Sequence, residues 1–227
     1  MTRPFIIAIA GGTASGKSTL AEVLAARLEA ESISHDCYYK TVPPEIANAF
    51  NRVEAYNYDH PDSLNSALLA QHLRELRAGR TVLIPEYDYA TSTAIPEVTE
   101  VDPTPFIIVD GILILAEPEL LPLFDFNIFV ECPDDIRLIR RILRDMTFRG
   151  QSISDVLTQY LKAVKPMHDQ FVAPSAKHAH LRIMGTDPVE TMALQAIEQM
   201  HYTTIRRCSA CEGVGCQECL IFAQHLP

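Results

Sequence analysis

The chain has 227 residues, 48% of them hydrophobic and 21% charged, which is typical of a globular protein and excludes a disordered or fibrous one. Its formal net charge of −10 argues against nucleic acid as a partner, because binding to a phosphate backbone needs a clustered positive surface. The sequence has no apolar run as long as a membrane span and no signal-peptide pattern at its start, so we expect a cytoplasmic protein without a membrane partner.

Strands and helices are predicted to alternate from the N-terminus onward. Phe5 to Ile9 is a continuous apolar run, as in strands that are buried on both faces of a parallel sheet. A glycine-rich loop follows, and then a helix with apolar residues at helical spacing from Leu20 to Leu28. A second strand is expected at Ser32 to His35. A second helix is expected from Leu64, with Gly79 closing its C-terminal end.

The alternation continues after an insertion. Residues 81–105 contain four prolines among Thr, Val and Tyr, which predicts an irregular β-hairpin at the edge of the sheet, where it would hold a substrate. Phe106 to Val109 and Phe126 to Val130 are predicted as further buried strands, Pro133 as a helix start, and Asp187 as the start of the last helix. This order predicts an α/β fold with a parallel sheet flanked by helices.

Two helices are predicted between the third buried strand and the last helix. The first presents apolar and basic residues on different faces: Ile136, Ile139, Leu143 and Met146 on one, and Arg137, Arg141 and Arg144 on another. The second begins at Ser152, where Asp155 completes a capping box, and carries an apolar stripe from Ile153 to Val164.

The first loop has the spacing Gly-x4-Gly-Lys-Ser between a strand and a helix, which is the phosphate-binding loop of P-loop NTPases. Glycines let successive backbone amides surround phosphate oxygens, Lys17 bridges the terminal phosphates, and the Ser18 hydroxyl binds Mg²⁺. We therefore predict ATP and Mg²⁺ as cofactors. The predicted nucleotide-binding residues are Gly11, Gly12, Thr13, Ala14, Ser15, Gly16, Lys17, Ser18 and Thr19.

Two carboxylates and an arginine cluster suit a kinase. Asp110 ends a buried strand, where it would hold the Mg²⁺ ion or merely cap a turn. Asp36 follows the second strand, where it would deprotonate an acceptor hydroxyl or be an ordinary turn residue. Arginines on a helix of an acidic protein often form a solvated face. Beside a phosphate loop, however, we expect Arg141, Arg144 and Arg149 to close over the nucleotide and stabilise the transferred charge.

The C-terminal segment contains a separate cysteine pattern. Cys208, Cys211, Cys216 and Cys219 form two Cys-x2-Cys pairs, which predict a structural or regulatory tetrahedral Zn²⁺ site. The short middle spacing leaves an iron–sulfur cluster or unligated thiols as alternatives.

Taken together, these motifs resemble those of the uridine/cytidine kinases over about residues 5 to 200. The motifs are GGTASGKST, HDCYY, YNYDHPD, IPEYDY, VDGILIL, RRILRD, Arg149-Gly150, TQY ending at Tyr160, and VKPM ending at Met167. The resemblance implies a P-loop nucleoside kinase domain at 1–204, with the hairpin at 81–105 and a lid at 141–152, and a Cys-rich tail at 205–227. It also implies a homo-oligomer, often a tetramer.

The resemblance further implies a role for each matching residue. Asp36 would be the base for the nucleoside 5′-hydroxyl and Asp59 would bind the ribose hydroxyls. Arg144 and Arg149 would act catalytically near the phosphates together with Lys17. The remaining residues assigned to the nucleoside are Tyr39, Tyr87, Arg141 and Gln159, and Asp187 would lie on the adenine side.

Asp110 replaces the glutamate that is common in the family and should keep a metal role, and three other positions also depart from the family pattern. Ser92 and Ala94 stand where relatives place a His or Tyr and an Arg, and Gln151 replaces another arginine that contacts substrate. These changes leave phosphoryl transfer intact but remove groups that would select the base. Phosphorylation of uridine or cytidine is therefore the leading hypothesis. The alternatives are a kinase for another nucleoside or sugar-like alcohol, and a nucleotide-binding regulatory module with a metal- or redox-sensing tail.

Overall fold

The computed structural model describes residues 3–41, 56–88 and 93–207, without the side chains of residues 88, 93–97 and 204–207. Its centre is a parallel sheet of five strands in the order β2-β5-β1-β6-β7, which confirms the predicted α/β fold. The strands are β1 Phe5–Gly11, β2 Glu31–Ser34, β3 Val82–Asp88, β4 Thr93–Val101, β5 Phe106–Asp110, β6 Phe126–Glu131 and β7 Leu181–Met184.

The helices start and end close to the predicted positions. They are α1 Lys17–Leu28, α2 Ser66–Arg77, α3 Asp134–Phe148, α4 Ile153–Gln159 and α5 Val189–Arg207. Beyond α4 the helical path continues through π turns at Tyr160–Val164 and His168–Val172, with α-helical turns at Lys165–Met167 and Ala173–Ser175. Short 3₁₀ turns lie at His35–Tyr38, Pro61–Ser63, Leu121–Leu123 and Ala176–His178.

The capping predictions are confirmed. The Ser152 hydroxyl accepts a hydrogen bond from the Asp155 amide at 3.2 Å and so caps the N-terminus of α4. Gly79 follows α2 with φ +77°, the left-handed conformation that commonly ends a helix.

The sheet is buried on both faces because its strands alternate side chains between two apolar layers. On one face, Ile6 and Ala8 of β1 pack in a cluster that includes Leu69 and Leu73 of α2. On the other face, Ile7 and Ile9 pack with α1 and α5. This double coverage explains the continuous apolar runs, and it leaves the carboxyl edge of the sheet as the open place for a ligand.

The predicted β-hairpin forms between α2 and β5. Strands β3 and β4 make a separate antiparallel sheet and do not hydrogen-bond to the edge of the parallel sheet. Val82, Ile84 and Val101 instead anchor the hairpin in the cluster that contains Tyr38, at the turn after β2. The hairpin therefore stands beside the carboxyl edge of β2, where it can cover that edge.

Helix α3 buries the face opposite to the one that its apolar pattern suggests. Arg137 and Arg141 are 1% and 5% exposed, whereas Leu143 is 62% exposed. The outward side also carries Ile139, Met146 and, beyond the helix, Ile153. Arg137 and Arg141 therefore face the phosphate loop, and the apolar residues face outward.

Candidate active site

The phosphate loop joins β1 to α1 at the carboxyl edge of the sheet. Lys17 and Ser18 are the first residues of α1, as predicted, so the amides of the first helical turn point towards the loop. Ala14 and Gly16 have φ values of +58° and +104°, and these left-handed conformations curl the backbone between strand and helix. The loop thus has the shape and the donors needed to hold phosphate oxygens.

Two loop glycines are required by close approaches. A Cβ atom on Gly11 would lie 2.6 Å from the carbonyl oxygen of Val130, and one on Gly12 would lie 2.6 Å from Nη1 of Arg137. Arg137 is fully buried and contacts the backbone through its Nε, which donates to the Cys132 carbonyl oxygen at 3.2 Å. Helix α3 therefore packs directly against the loop, with no room for larger residues.

Asp110 lies beside the first turn of α1. Its Oδ2 accepts a hydrogen bond from Ser18 Oγ at 2.7 Å and lies 3.8 Å from Lys17 Nζ. Hydroxyl and carboxylate oxygens suit Mg²⁺, which usually keeps waters and substrate phosphates as its other ligands. The described residues contain no cluster of three or more acidic, His or Cys side chains. The Ser18–Asp110 pair thus fits a Mg²⁺ ion that is bound jointly with phosphates.

Asp36 lies in the turn that follows β2. Burial raises the pKa of its carboxyl group, and the nearby charge of Asp110 raises it further, while Lys17, Arg149 and Arg144 act in the opposite direction. These influences show that the carboxyl group shares one electrostatic environment with the loop lysine and the arginines of the lid. A carboxylate with a raised pKa is a better proton acceptor than an exposed one.

Asp59 and three tyrosines lie next to this region. Asp59 is buried, and burial raises the pKa of its carboxyl group, against the influence of Arg141. The ring of Tyr39 lies 5.2 Å from that of Tyr87 and 5.6 Å from that of Tyr58, centre to centre. The structure therefore brings Tyr39 and Tyr87 together, with Tyr58 beside Tyr39.

Arg141 connects the lid helix to the loop and to α4. Its Nη1 donates to Thr13 Oγ1 at 3.0 Å, and its Nη2 donates to Gln159 Oε1 at 2.9 Å. Desolvation on burial lowers the pKa of this guanidinium group, while the charges of Asp59 and Asp145 raise it. Hydrogen bonds to the loop and to α4 thus hold the Arg141 side chain in one place.

A cavity of about 480 Å³ opens on the outer side of the loop. Gly16, Lys17 and Ser18 line it from the loop, and Arg144 and Asp187 line it from α3 and the start of α5. Asp187 therefore lies in the same cavity as the end of the phosphate loop.

Sequence reasoning missed several residues of this site. Arg140 lines the same cavity, and its Nη1 donates to the Gly185 carbonyl oxygen at 2.9 Å. Asp145 is fully buried among the lid arginines. The motif RRILRD contains both residues, but only a three-dimensional contact distinguishes them from surface charges.

Five of the residues singled out in the sequence cannot be placed in the structure. Ser92 and the tail cysteines, Cys208, Cys211, Cys216 and Cys219, lie outside the described residues. Ala94 pairs with Tyr87 across the hairpin, and the Gln151 amide donates to the Asp145 carbonyl oxygen at 3.1 Å.

Over the described ranges, none of the helices is both long enough and apolar enough to cross a membrane.

Comparison with known proteins agrees with this geometry. Residues 6–192 match the profile of the Phosphoribulokinase / Uridine kinase family. The chain is 42% identical to a uridine kinase of Chloroflexus aurantiacus over 190 residues, which cover 81% of this chain and 88% of that protein. It is 44% identical to a uridine kinase of Clostridium novyi over 186 residues, with the same coverage of both chains.

The fold also matches that of a solved enzyme. The crystallised phosphoribulokinase of Rhodobacter spheroides superposes with a TM-score of 0.60 at 14% identity, over 82% of this chain and 74% of that one. At this identity the likeness shows the shared fold alone. The family profile and the two uridine kinases together show that the chain belongs to the phosphoribulokinase/uridine kinase family.

Proposed function

We propose that this protein transfers the γ-phosphoryl group of ATP to the 5′-hydroxyl of uridine, with cytidine as a second acceptor, and so makes the nucleoside monophosphate for pyrimidine salvage. One observation carries the proposal: Asp36 follows the strand residue Ser34, which pairs in the sheet with Asp110, and the Asp110 carboxylate accepts a hydrogen bond from Ser18 of the phosphate loop. A base in that place serves an acceptor alcohol, whereas a nucleotide-binding module needs none. The relatives named as uridine kinases favour uridine as that alcohol.

The acceptor half of the reaction needs a base and a residue that binds the sugar. Asp36 would accept the proton of the 5′-hydroxyl as the hydroxyl oxygen forms a bond to the γ-phosphorus, while the bond from that phosphorus to the β,γ-bridging oxygen breaks and ADP leaves. Asp59 would accept hydrogen bonds from the ribose hydroxyls. Both carboxylates are desolvated in the free protein, and this desolvation costs free energy of folding. Hydrogen bonds from the substrate hydroxyls would compensate that cost.

The donor half requires stabilisation of negative charge. The loop amides and Lys17 would hold the phosphates, and Arg144, which lines the cavity, would approach them from the lid. Mg²⁺, when bound by Ser18 and Asp110, supplies neutralisation of phosphate charge. Arg149 would add a further positive charge near the transferred group.

The base of the nucleoside would lie between the tyrosines and α4. Tyr39 and Tyr87 offer aromatic surfaces, and stacking on an aromatic side chain is worth about 1–3 kcal/mol per base. The Gln159 oxygen accepts from Arg141, so its amide N–H groups are presented as donors to an acceptor such as a pyrimidine carbonyl. This arrangement provides one selective group despite the changes at Ser92, Ala94 and Gln151.

The test is a panel of acceptors. The purified protein is incubated with ATP and Mg²⁺ and, separately, with uridine, cytidine, the purine nucleosides, ribose and glycerate, and ADP release is compared with a reaction without acceptor. We expect turnover with uridine and cytidine to exceed that with every other acceptor. Turnover with a sugar acid or sugar alone would contradict the nucleoside assignment.

The proposal also covers the metal content, the oligomeric state and the cellular location of the protein, and each has its own measurement. The tail cysteines, Cys208, Cys211, Cys216 and Cys219, would bind one Zn²⁺, which elemental analysis of the purified protein tests against iron and against no metal. The protein would form a homo-oligomer, with a tetramer as the expectation, which light scattering on a sizing column measures. It would be found in the cytoplasm, which cell fractionation tests.

A further inference from the structure

Asp145 lies at the centre of the lid, on the side of α3 that faces the site, and none of its surface is exposed. Its Oδ1 accepts a hydrogen bond from Arg144 Nε at 2.8 Å and lies 3.5 Å from Nη1 of Arg149. Its Oδ2 lies 3.3 Å from Nε of Arg141. One buried carboxylate is therefore shared by three guanidinium groups.

These three arginines are the ones that the proposed reaction uses. Arg144 lines the nucleotide cavity, Arg144 and Arg149 act on the environment of Asp36, and Arg141 acts on that of Asp59. Without a shared anion the three like charges would repel one another in a partly desolvated space. With it, the group keeps an excess of positive charge for phosphates, because three cations face one carboxylate.

The main chain at Asp145 reinforces this arrangement. Its carbonyl oxygen accepts hydrogen bonds from the amides of Arg149 at 3.2 Å and Gln151 at 3.1 Å. The same residue therefore fixes the end of α3, where the chain turns through Gly150 at φ +63° towards α4. Its side chain orients the arginines and its backbone orients the segment that carries Arg149.

We propose that Asp145 is a positioning residue of the kinase reaction, which holds Arg141, Arg144 and Arg149 ready for nucleoside and phosphates by sharing its carboxylate among them. This inference rests on the proposed function and deepens it. Arginine side chains are flexible, and fixing them before the reaction avoids an entropic cost at the transition state. Asp145 itself touches no reacting atom and acts only through the arginines.

A double-mutant cycle tests the proposal, using wild type, Asp145→Asn, Arg144→Gln and the double variant. Displacement of positioning groups by about 1 Å can cost on the order of 10²-fold in rate, so we expect kcat of Asp145→Asn to fall by about ten- to a hundredfold. If Asp145 acts through Arg144, the double variant loses little more than the worse single variant. Losses that multiply would overturn the proposal.

A matched control and a second variant separate positioning from folding. Asp169→Asn removes a carboxylate from an exposed ion pair with Lys165, four residues away in sequence, and should keep wild-type kcat. Asp145→Glu keeps the negative charge beside buried Arg141 and should fold even where Asp145→Asn does not, while its extra methylene shifts the contact with Arg144. We expect a lowered kcat for Asp145→Glu in a protein that still unfolds cooperatively, with a melting temperature lowered by no more than overpacking accounts for. A wild-type kcat in this variant would refute the positioning role.

Titration of the same four proteins with ATP and Mg²⁺ tests the role of Asp145 without any acceptor nucleoside. Because Arg144 lines the nucleotide cavity, coupling between positions 144 and 145 should also appear as non-additive changes in ATP affinity. Failure of wild type to phosphorylate uridine would reject the proposed function alone. Additive effects on ATP affinity would reject the role of Asp145 alone.

Discussion

Gly185 gives the sharpest prediction about the phosphate loop. It follows β7, and its amide donates to the Glu131 carbonyl oxygen at 2.6 Å. A Cβ atom at this position would lie 1.9 Å from the Ser15 carbonyl oxygen and 2.8 Å from Cγ1 of Val130. Since real Cβ contacts essentially never fall below 3.0 Å, Gly185→Ala must push the two backbones apart by at least about 1.1 Å.

That displacement falls on Ser15, which directly precedes Gly16 and Lys17 of the loop. Because a misplacement of about 1 Å can cost on the order of 10²-fold in rate, we expect kcat/KM for ATP to fall by about that factor in Gly185→Ala. Steady-state kinetics with varied ATP at saturating uridine measures it. Overpacking should also lower the free energy of unfolding by about 1–3 kcal/mol.

Gly79→Ala is the matched control. Gly79 has φ +77° and no atom within 4 Å of an added Cβ, so the change should cost about 1–2 kcal/mol of stability through backbone strain and leave kcat/KM unchanged. The reasoning is refuted if Gly185→Ala retains wild-type kcat and KM for ATP, or if both alanine variants lose activity equally.

The remaining predictions concern the base and the lid. Asp36→Asn should lower kcat by about 10²–10⁴-fold while ATP affinity measured by titration is retained. Burial raises the pKa of Asp36 because it disfavours the charged carboxylate, so the folded protein loses stability as pH rises through the range in which this group ionises. Asp36→Asn should therefore raise the melting temperature of the ligand-free protein at neutral pH. The same raised pKa predicts that kcat falls on acidification at a higher pH than for an ordinary aspartate, and a wild-type rate profile without such a limb would contradict the assignment. On the outward face of α3, Leu143→Gln should change the free energy of unfolding by less than about 0.5 kcal/mol, whereas Leu24→Ala in the core should cost about 2–5 kcal/mol in the same denaturant titration.

Much of the fold was predictable because its signals are local. The apolar runs in β1 and β5, the glycine spacing of the loop and the cap at Ser152 each reflect contacts within a few residues or burial on both faces of a strand. The placement of Asp36 and Asp110 at strand ends followed from the rule that ligands bind at the carboxyl edge of a parallel sheet. Their side chains indeed lie within one electrostatic environment.

Helix α3 shows where sequence patterns fail. Its apolar residues share a face, which in most helices would be the buried one. Here the buried face carries Arg137, Arg141 and Asp145, because the neighbour is the phosphate loop and Arg141 donates hydrogen bonds to Thr13 and Gln159. The periodicity correctly predicts the two faces, but only the identity of the neighbour decides which one is buried.

The separation of the hairpin from the parallel sheet and the burial of Asp145 could not be predicted, because both depend on contacts between residues that are distant in the chain. Whether β3 and β4 join the parallel sheet depends on backbone pairing between residues distant in the chain, and the sequence of the hairpin is compatible with either arrangement. Asp145 is one of many acidic residues on helices. Its three arginine partners lie at local spacings along the chain, but its complete burial depends on how α3 packs in the folded protein.

The central claim is transfer of phosphate to a nucleoside 5′-oxygen at the Asp36 site, and product analysis tests it most directly. The protein is incubated with ATP, Mg²⁺ and either uridine or 5′-deoxyuridine, and the products are identified by phosphorus NMR and mass spectrometry. We predict uridine 5′-monophosphate in the first reaction and no phosphorylated nucleoside in the second. A phosphate ester on another oxygen, or no nucleoside monophosphate despite ATP binding, would contradict the account.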